Sequence, residues 1–335
     1  MSDPSQQRAP RLSPAVAGVR LAVRPVIESH VSEARSGPVM VAFSGGADSL
    51  ALLRATCFEA HRRDVSVAAV IVDHGLQSGS AEVAAAAAVW AHQAGCEVVR
   101  VVPVVVGSAG GVEAAARLAR YSALADVASE LGCGTVLVGH TADDQAETVL
   151  LGLTRGSGPT SLRGMPDRDG LFVRPLLQVT RQMTRDACEA EGVEWWEDPH
   201  NSDPSFLRVR IRSTVLPMLE AELGPGISAA LVRTAHLLRD DDDALNELAR
   251  AEFDAHHTVI PAGVSVPVSA LVRQFPAIRS RVLRLAANAA GLGALSSTHT
   301  ATVDALVSDW HGQKALNVPG GNVERHEGLL VFTAT

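Results

Sequence analysis

Six residues, Ser44-Gly-Gly-Ala-Asp-Ser49, follow an apolar run directly and precede a helical pattern directly. Glycines at 45 and 46 let a backbone turn tightly and bring N–H groups close to an anion. A helix N-terminus behind them adds about 0.3–1 kcal/mol of favourable field for negative charge. Ser44 and Ser49 offer hydroxyl donors, Ala47 lies between the glycines and Asp48, and Asp48 is a carboxylate suited to a magnesium ion bridging phosphates. The loop lacks the lysine of a GxxxxGK[ST] loop, which disfavours γ-phosphate transfer of that kind. It also lacks GxGxxG spacing, which disfavours a dinucleotide fold. The competing account is a plain strand-to-helix turn capped by Asp48 or Ser49.

Other clusters carry compatible chemistry. Asp73-His74-Gly75 ends a second apolar run; a turn leading into a capped helix is the simpler account. Glu113, Arg117, Arg120 and Tyr121 fall at i, i+4, i+7 and i+8, on one helical face. Such a face is either a surface Glu–Arg pair worth ~0.3–0.5 kcal/mol or a source of arginine for pyrophosphate charge in a transition state. The block 139–147 holds His140, Asp143, Asp144, Gln145 and Glu147 after another apolar run. Asp144 with Glu147 makes a capping box, but a cap requires neither His140 nor two adjacent acids. Magnesium favours one or two carboxylates with phosphate oxygens and water, which Asp48 and Asp144 can supply. Arg155-Gly-Ser-Gly158 is a donor-rich loop or an ordinary helix exit. Arg208, Arg210 and Arg212 alternate with Val209 and Ile211, so as a strand they line one side. They are then either a solvated row or phosphate contacts. Asp240 to Asp243 spread around a helix and read as a solvated face, and His256-His257 reads as polar loop surface.

The bulk numbers restrict the setting. A formal charge of -8 excludes a broadly basic nucleic-acid binder, so any RNA contact needs a locally basic surface. Lys314 is the only lysine among 29 basic residues, which excludes chemistry by a lysine in the first half. Cys57, Cys96, Cys133 and Cys188 form no CxxC pair, which argues against zinc, iron–sulfur or disulfide frameworks and fits a reduced cytoplasm. Arg20 and Arg24 interrupt the apolar stretch near the N-terminus, so no signal-peptide layout is present.

These clusters need a scaffold that gathers them. Apolar, β-branched runs at 39–43, 65–72, 97–106 and 135–138 alternate with helical patterns, the first from the glycine turn to about 60 and the others at about 80–94, 111–131 and 143–153. Continuous apolar strands alternating with helices imply an α/β fold whose parallel sheet is covered on both faces. Ligands in such sheets sit beyond the carboxyl ends of the strands, near the switch point, and every cluster above falls at such an end. Residues 1–15 are polar, include three prolines and are expected to be disordered. Helix breakers at Leu223-Gly-Pro-Gly226 suggest a boundary between a domain at 16–220 and one at 227–335. The latter shows helical patterns at about 227–252 and 276–290, then two strands around Pro319-Gly-Gly-Asn322.

With these residues in view, the chain resembles the PP-loop ATP pyrophosphatases and, within them, the tRNA(Ile)-lysidine synthases. SGGADS at 44–49, VDHG at 72–75, EAAARLARY at 113–121, GHTADDQAETVLLGLTRGSG at 139–158 and RPLL at 174–177 match family blocks in order. The stretch from Asp198 through Asn201 to Arg212 matches as well, except that Val209 replaces the usual asparagine. The resemblance implies a doubly wound, adenine nucleotide alpha hydrolase-like sheet with a smaller, mainly helical C-terminal domain that grips tRNA. It implies that ATP adenylates C2 of the wobble cytidine in a tRNA(Ile) with a CAU anticodon, and that free L-lysine then expels AMP through its ε-amine. Ser44 to Ser49, with Asp73 and His74, would bind ATP, and Asp48 with Asp144 would serve Mg2+. His140, Arg117 and Arg120 would stabilise the adenylated intermediate or the leaving pyrophosphate. Arg155, Arg208, Arg210 and Arg212 would face tRNA, while Glu113, Asp143 and Glu147 are the acids available to select lysine. A second C-terminal domain found in longer members is expected to be absent, and a homodimer is left open. Two rivals are a PP-loop tRNA thiolase, which should carry a cysteine pair near the site, and a non-catalytic nucleotide- or tRNA-binding module.

Overall fold

Val39, Met40 and Val41 have no exposed surface, although neighbouring strand residues point to opposite faces. They form β1 (Val39–Ala42), a strand covered on both sides, which is why its sequence is continuously apolar rather than alternating. The computed structural model describes residues 12–75, 79–107, 111–155 and 158–335, without the side chains of Val112, Glu113 and His200. In chain order α1 (Pro14–Ser32), β1, α2 (Ala47–His61), β2 (Val67–Asp73), α3 (Ser80–Gln93), β3 (Val98–Pro103), α4 (Val112–Glu130) and β4 (Val136–Val138) come first. Then follow α5 (Ala142–Arg155), α6 (Pro159–Leu162), β5 (Arg168–Asp169), β6 (Phe172–Val173) and α7 (Arg181–Ala190). Of the expected tail at 1–15, residues 1–11 lie outside the described residues, and Pro14 already opens α1. That helix buries Val16, Val19, Val23, Ile27 and His30, the 3–4 spacing of a single apolar stripe.

The sheet runs β3-β2-β1-β4-β6-β5. All pairings are parallel except that of the short edge strand β5 with β6. The chain steps outward from β1 to β3 and then returns to the other side of β1 with β4, so the switch point lies between β1 and β4. Val39 and Val41 face one core with α1, α2, α3 and α7; Met40 faces the other, with Leu124, Val127 and Ala128 of α4.

A 3-10 turn at Pro199–Ser202 leads to α8 (Leu207–Arg210), a π-helical turn at Ile211–Val215, α9 (Leu216–Leu223) and α10 (Ile227–His256). Residues 208–212 are therefore helical, correcting the strand expected there. A period of two over five residues is too short to separate the two states, and the ion pairs described below favour the helix. At Leu223-Gly-Pro-Gly226 the chain breaks between α9 and α10, with Gly224 at φ +95 and Gly226 at φ +103. The Glu220 carboxylate accepts the N–H groups of Gly226, Ile227 and Ser228 and so caps α10.

The chain divides into two compact units, Met1–His236 and Leu237–Thr335, within α10. The second unit holds β7 (Thr258–Ile260), β8 (Gly263–Pro267), α11 (Val268–Leu271), α12 (Pro276–Ala289), α13 (Ser297–Ser308), β9 (Leu316–Val318), β10 (Gly321–His326) and β11 (Leu329–Ala334). Beside its helices it carries an antiparallel sheet, β7-β8-β11-β10-β9, closed over Val264, Val282, Leu283, Leu306, Val323 and Phe332. Asp242, expected on a solvated face, is 3% exposed and pairs with Arg281. His256 is the last residue of α10 and not loop surface, while His257 follows the helix; each Nδ1 lies 3.0 Å from a helix carbonyl, of Glu252 and Phe253 respectively. Among the described residues no single helix is long and apolar enough to cross a membrane.

Candidate active site

The loop after β1 is braced from within and from behind. The Ser44 N–H donates to Ser49 Oγ at 3.2 Å, and Ser49 Oγ donates to the Gly46 carbonyl at 2.9 Å. Ser49 is 6% exposed, so its hydroxyl shapes the loop. Gly45 has φ +83, and a Cβ there would lie 3.6 Å from Ala87 Cβ and from the Trp90 ring. The Trp196 N–H donates to the Gly45 carbonyl at 3.0 Å, tying the 193–198 segment to the loop.

The adjacent strand brings its own cluster against this loop. A Cβ on Gly139 would stand 3.2 Å from both the backbone N and Cα of Ser49, so glycine is what allows the exits of β1 and β4 to touch. His140 follows, its Nδ1 buried without a partner among the described residues. Burial presses its pKa down to about 3; Arg117, Arg174 and Arg208 push the same way and Asp144 opposes them. His140 is thus neutral at physiological pH, a hydrogen-bonding group and not a cation. An unfolded histidine titrates near 6.5, so falling pH protonates the unfolded chain first. The contribution of neutral His140 to stability is complete above about 6.5 and is lost toward about 3. Urea midpoints are expected to fall between pH 7.5 and 5 in the wild type and to fall less in His140→Gln. Equal losses in both proteins would exonerate His140.

On the other side of β1, Asp73 accepts the Gly75 N–H at 2.9 Å. His74 Nε2 accepts from Arg120 Nε at 3.3 Å, while its buried Nδ1 has no partner among the described residues. Burial, then the Arg120 charge, lower the His74 pKa. Arg117 lies 4.9 Å over the Tyr121 ring, which meets Phe172 edge-on at 4.6 Å. Burial is the largest influence on Arg120 and lowers its pKa, with Arg117 adding to it and Asp198 opposing it. The Glu113 side chain lies outside the described residues, as do Gly156 and Ser157 beyond Arg155, the exposed end of α5.

The acids meet on Arg181, a residue with no distinguishing pattern in the sequence. Its guanidinium lies 3.6 Å from Asp48, 3.0 Å from Asp144 and 3.4 Å from Glu147, and its N–H donates to Asp143 at 2.8 Å. Asp48 also accepts from the Thr184 hydroxyl. Burial, the largest influence, raises the Asp48 pKa above the usual carboxylate value, with Thr184 and Arg181 opposing it. For Asp144 burial acts in the same direction, but Arg181, the Thr141 N–H, His140 and Arg212 outweigh it and lower the pKa. Asp144 caps α5 through Thr141, whose N–H and hydroxyl donate to it at 2.8 and 3.0 Å. The cap therefore pairs 141 with 144, not 144 with 147 as expected.

Glu147 has no exposed surface and receives Arg212 through two bonds, at 2.7 and 3.1 Å, with Arg208 at 3.4 Å. Residues four apart share a helix face, so Arg208 and Arg212 both reach Glu147. Arg210 turns away to the carbonyls of Pro204 and Ser205, each at 2.8 Å. The three arginines are therefore not one row. Beside them lies a cavity of about 180 Å3 lined by Asp143, Glu147, Arg181, Arg212, Leu216, Pro217, Glu220 and Ser228. Cys57 and Cys96, 39 residues apart in sequence, approach to 3.6 Å between sulfurs. Cys96 precedes β3, at the opposite edge of the sheet from the loop, and the pair is buried away from these groups.

A parallel sheet with a glycine-rich anion loop at its switch point defines a PP-loop protein, and the PP-loop domain family matches residues 22–219. A family described as the TilS substrate binding domain matches residues 267–331. The tRNA(Ile)-lysidine synthase of Leifsonia xyli subsp. xyli is 50% identical, over 88% of this chain and 89% of that one. That of Thermobifida fusca is 47% identical over 96% and 98%, and that of Streptomyces coelicolor 46% identical over 94% and 97%. The chain belongs to the tRNA(Ile)-lysidine synthase family. Among solved structures, the U34-tRNA thiolase NcsA from Methanococcus maripaludis, with its [4Fe-4S] cluster, shares the fold. The TM-score is 0.52 and the identity 19%, over 67% of this chain and 80% of that one.

Proposed function

We propose that the chain uses ATP to adenylate C2 of the wobble cytidine of a tRNA(Ile) with a CAU anticodon, then joins that carbon to the ε-amine of L-lysine. The products are lysidine, AMP and pyrophosphate. The observation that carries this reading is the contact of Gly139 with Ser49, which sets the anion loop and the His140–Glu147 segment in one site.

In the first step the cytosine O2 attacks the α-phosphorus and pyrophosphate leaves. N–H groups of the loop and of the α2 N-terminus hold the phosphates of the departing end, and Arg117 and Arg120 meet the negative charge that builds on the leaving pyrophosphate. Magnesium, when bound, supplies further charge neutralisation between phosphates. Asp48 would be the residue to hold it, a carboxylate beside the loop that a second cation would help to keep charged against burial. Asp144, already engaged by Thr141, Arg181 and Arg212, is linked to Asp48 through Arg181.

In the second step the neutral ε-amine attacks C2, the C2–O2 bond breaks as AMP leaves with that oxygen, and the nitrogen now bonded to C2 releases one proton to solvent. The cavity beside Glu147 suits free lysine: Asp143 offers charge for an ammonium, Arg181 and Arg212 offer it for a carboxylate, and Leu216 and Pro217 offer apolar surface for the methylene chain. We assign residues 16–220 to catalysis and 227–335 to gripping tRNA away from the anticodon.

The test supplies unmodified tRNA and ATP with and without lysine, follows pyrophosphate, and analyses the nucleosides. Lysidine is expected only when all three substrates are present. Pyrophosphate release with an unchanged tRNA, or no release at all, sinks the assignment.

A further inference from the structure

Arg174 is a buried cation whose ion pair with Asp169 is long, at 3.9 Å. It follows β6, where Phe172 pairs with Val136 and Val173 with Leu137, so Arg174 emerges at the same sheet edge as Val138 and His140. The residue is 3% exposed. Its Nη1 donates to the Pro166 carbonyl at 2.9 Å, the carboxylate of Asp169 is 3.9 Å from Nη2, and the buried Nε has no partner among the described residues. A buried guanidinium whose one carboxylate partner among the described residues is distant and exposed, with one donor unmade, is costly on both counts. An anionic ligand would relieve both costs at once.

The surroundings say which part of the site that ligand occupies. Along the carboxyl edge, β2 ends on His74, β1 on the anion loop, β4 on His140 and β6 on Arg174. His74, His140 and Arg174 each hold a buried side-chain nitrogen without a partner among the described residues. This arc of unmet hydrogen-bonding nitrogens flanks a loop already built for phosphate. We propose that Arg174 is a phosphate-binding residue of this site, its Nε donating to an oxyanion of the nucleotide beside His140. The inference rests on the ATP-dependent reading above. A phosphate of the tRNA backbone is the other source of the same chemistry, but the burial of Arg174 on the loop's own edge favours the nucleotide.

The experiment compares full-length wild type with Arg174→Lys and Arg174→Gln. Both replacements can still donate to the Pro166 carbonyl, whereas only lysine keeps the charge. Pyrophosphate release by the Gln variant is expected to fall about 100-fold, with ATP affinity reduced, tRNA affinity intact and an unchanged melting temperature. The Lys variant should recover about a tenth or more of the rate. Inactive wild type would defeat the functional reading itself. Active wild type with a Gln variant within about twofold overturns the role of Arg174 alone. Equal loss in both variants with lowered melting makes Arg174 a structural tether and also overturns it. Loss of tRNA affinity with ATP affinity kept would move the contact to RNA and overturn the nucleotide assignment.

Discussion

Glu147→Ala is expected to destabilise the fold by about 3–5 kcal/mol, the usual cost of removing one partner from a buried ion pair. Glu147 has no exposed surface, and Arg181, Arg208 and Arg212 converge on it from two separate stretches of chain. Arg181 and Arg212 would keep Asp144, and Arg208 its bond to Thr148 at 2.9 Å, which places the loss toward the lower end of that range. Glu147→Gln should do less damage, since it keeps the volume and one acceptor. Urea unfolding followed by circular dichroism measures both. A loss under about 1 kcal/mol in the alanine variant would mean that the arginines are compensated elsewhere and that Glu147 does not organise them. Glu147 also lines the cavity proposed above for lysine, so activity should fall even in the better-folded Gln variant.

Asp48→Ala should act in the opposite way, on chemistry without a cost in folding. Pyrophosphate release is expected to drop by about 100- to 1000-fold, the usual effect of removing one group from a preorganised charge-stabilising site. Stability should hold or rise, because burial already disfavours the charged form of Asp48, whose raised pKa reports an environment tuned to something other than folding. Single-turnover pyrophosphate release, with melting measured on the same samples, separates the two effects. Full activity would remove Asp48 from the mechanism. Lost activity with a collapsed melting temperature would make it a structural residue tied to Thr184 and Arg181.

The contrast between these two acids shows where local pattern stops being informative. Apolar runs of four to seven residues, helical spacing and two adjacent glycines announce β1, the anion loop and α2, because each depends on residues close in sequence. The strand-by-strand alternation with helices then dictates a parallel sheet and places His74, Ser44–Ser49 and His140 at one edge. The partners of the charged groups follow no such rule. Arg181 meets Asp48 across 133 positions, and Arg212 meets Glu147 across 65. A short Arg-Val-Arg-Ile-Arg run reads as a strand until those partners select a helix that sends Arg208 and Arg212 one way and Arg210 the other. Arg174 is legible as part of RPLL, but its long ion pair and its unmade donor appear only once neighbouring strands bury it. Hydrophobic period is a property of neighbours along the chain and survives in the sequence. Charge neutralisation in a buried site is a property of neighbours in space, set by how distant elements pack.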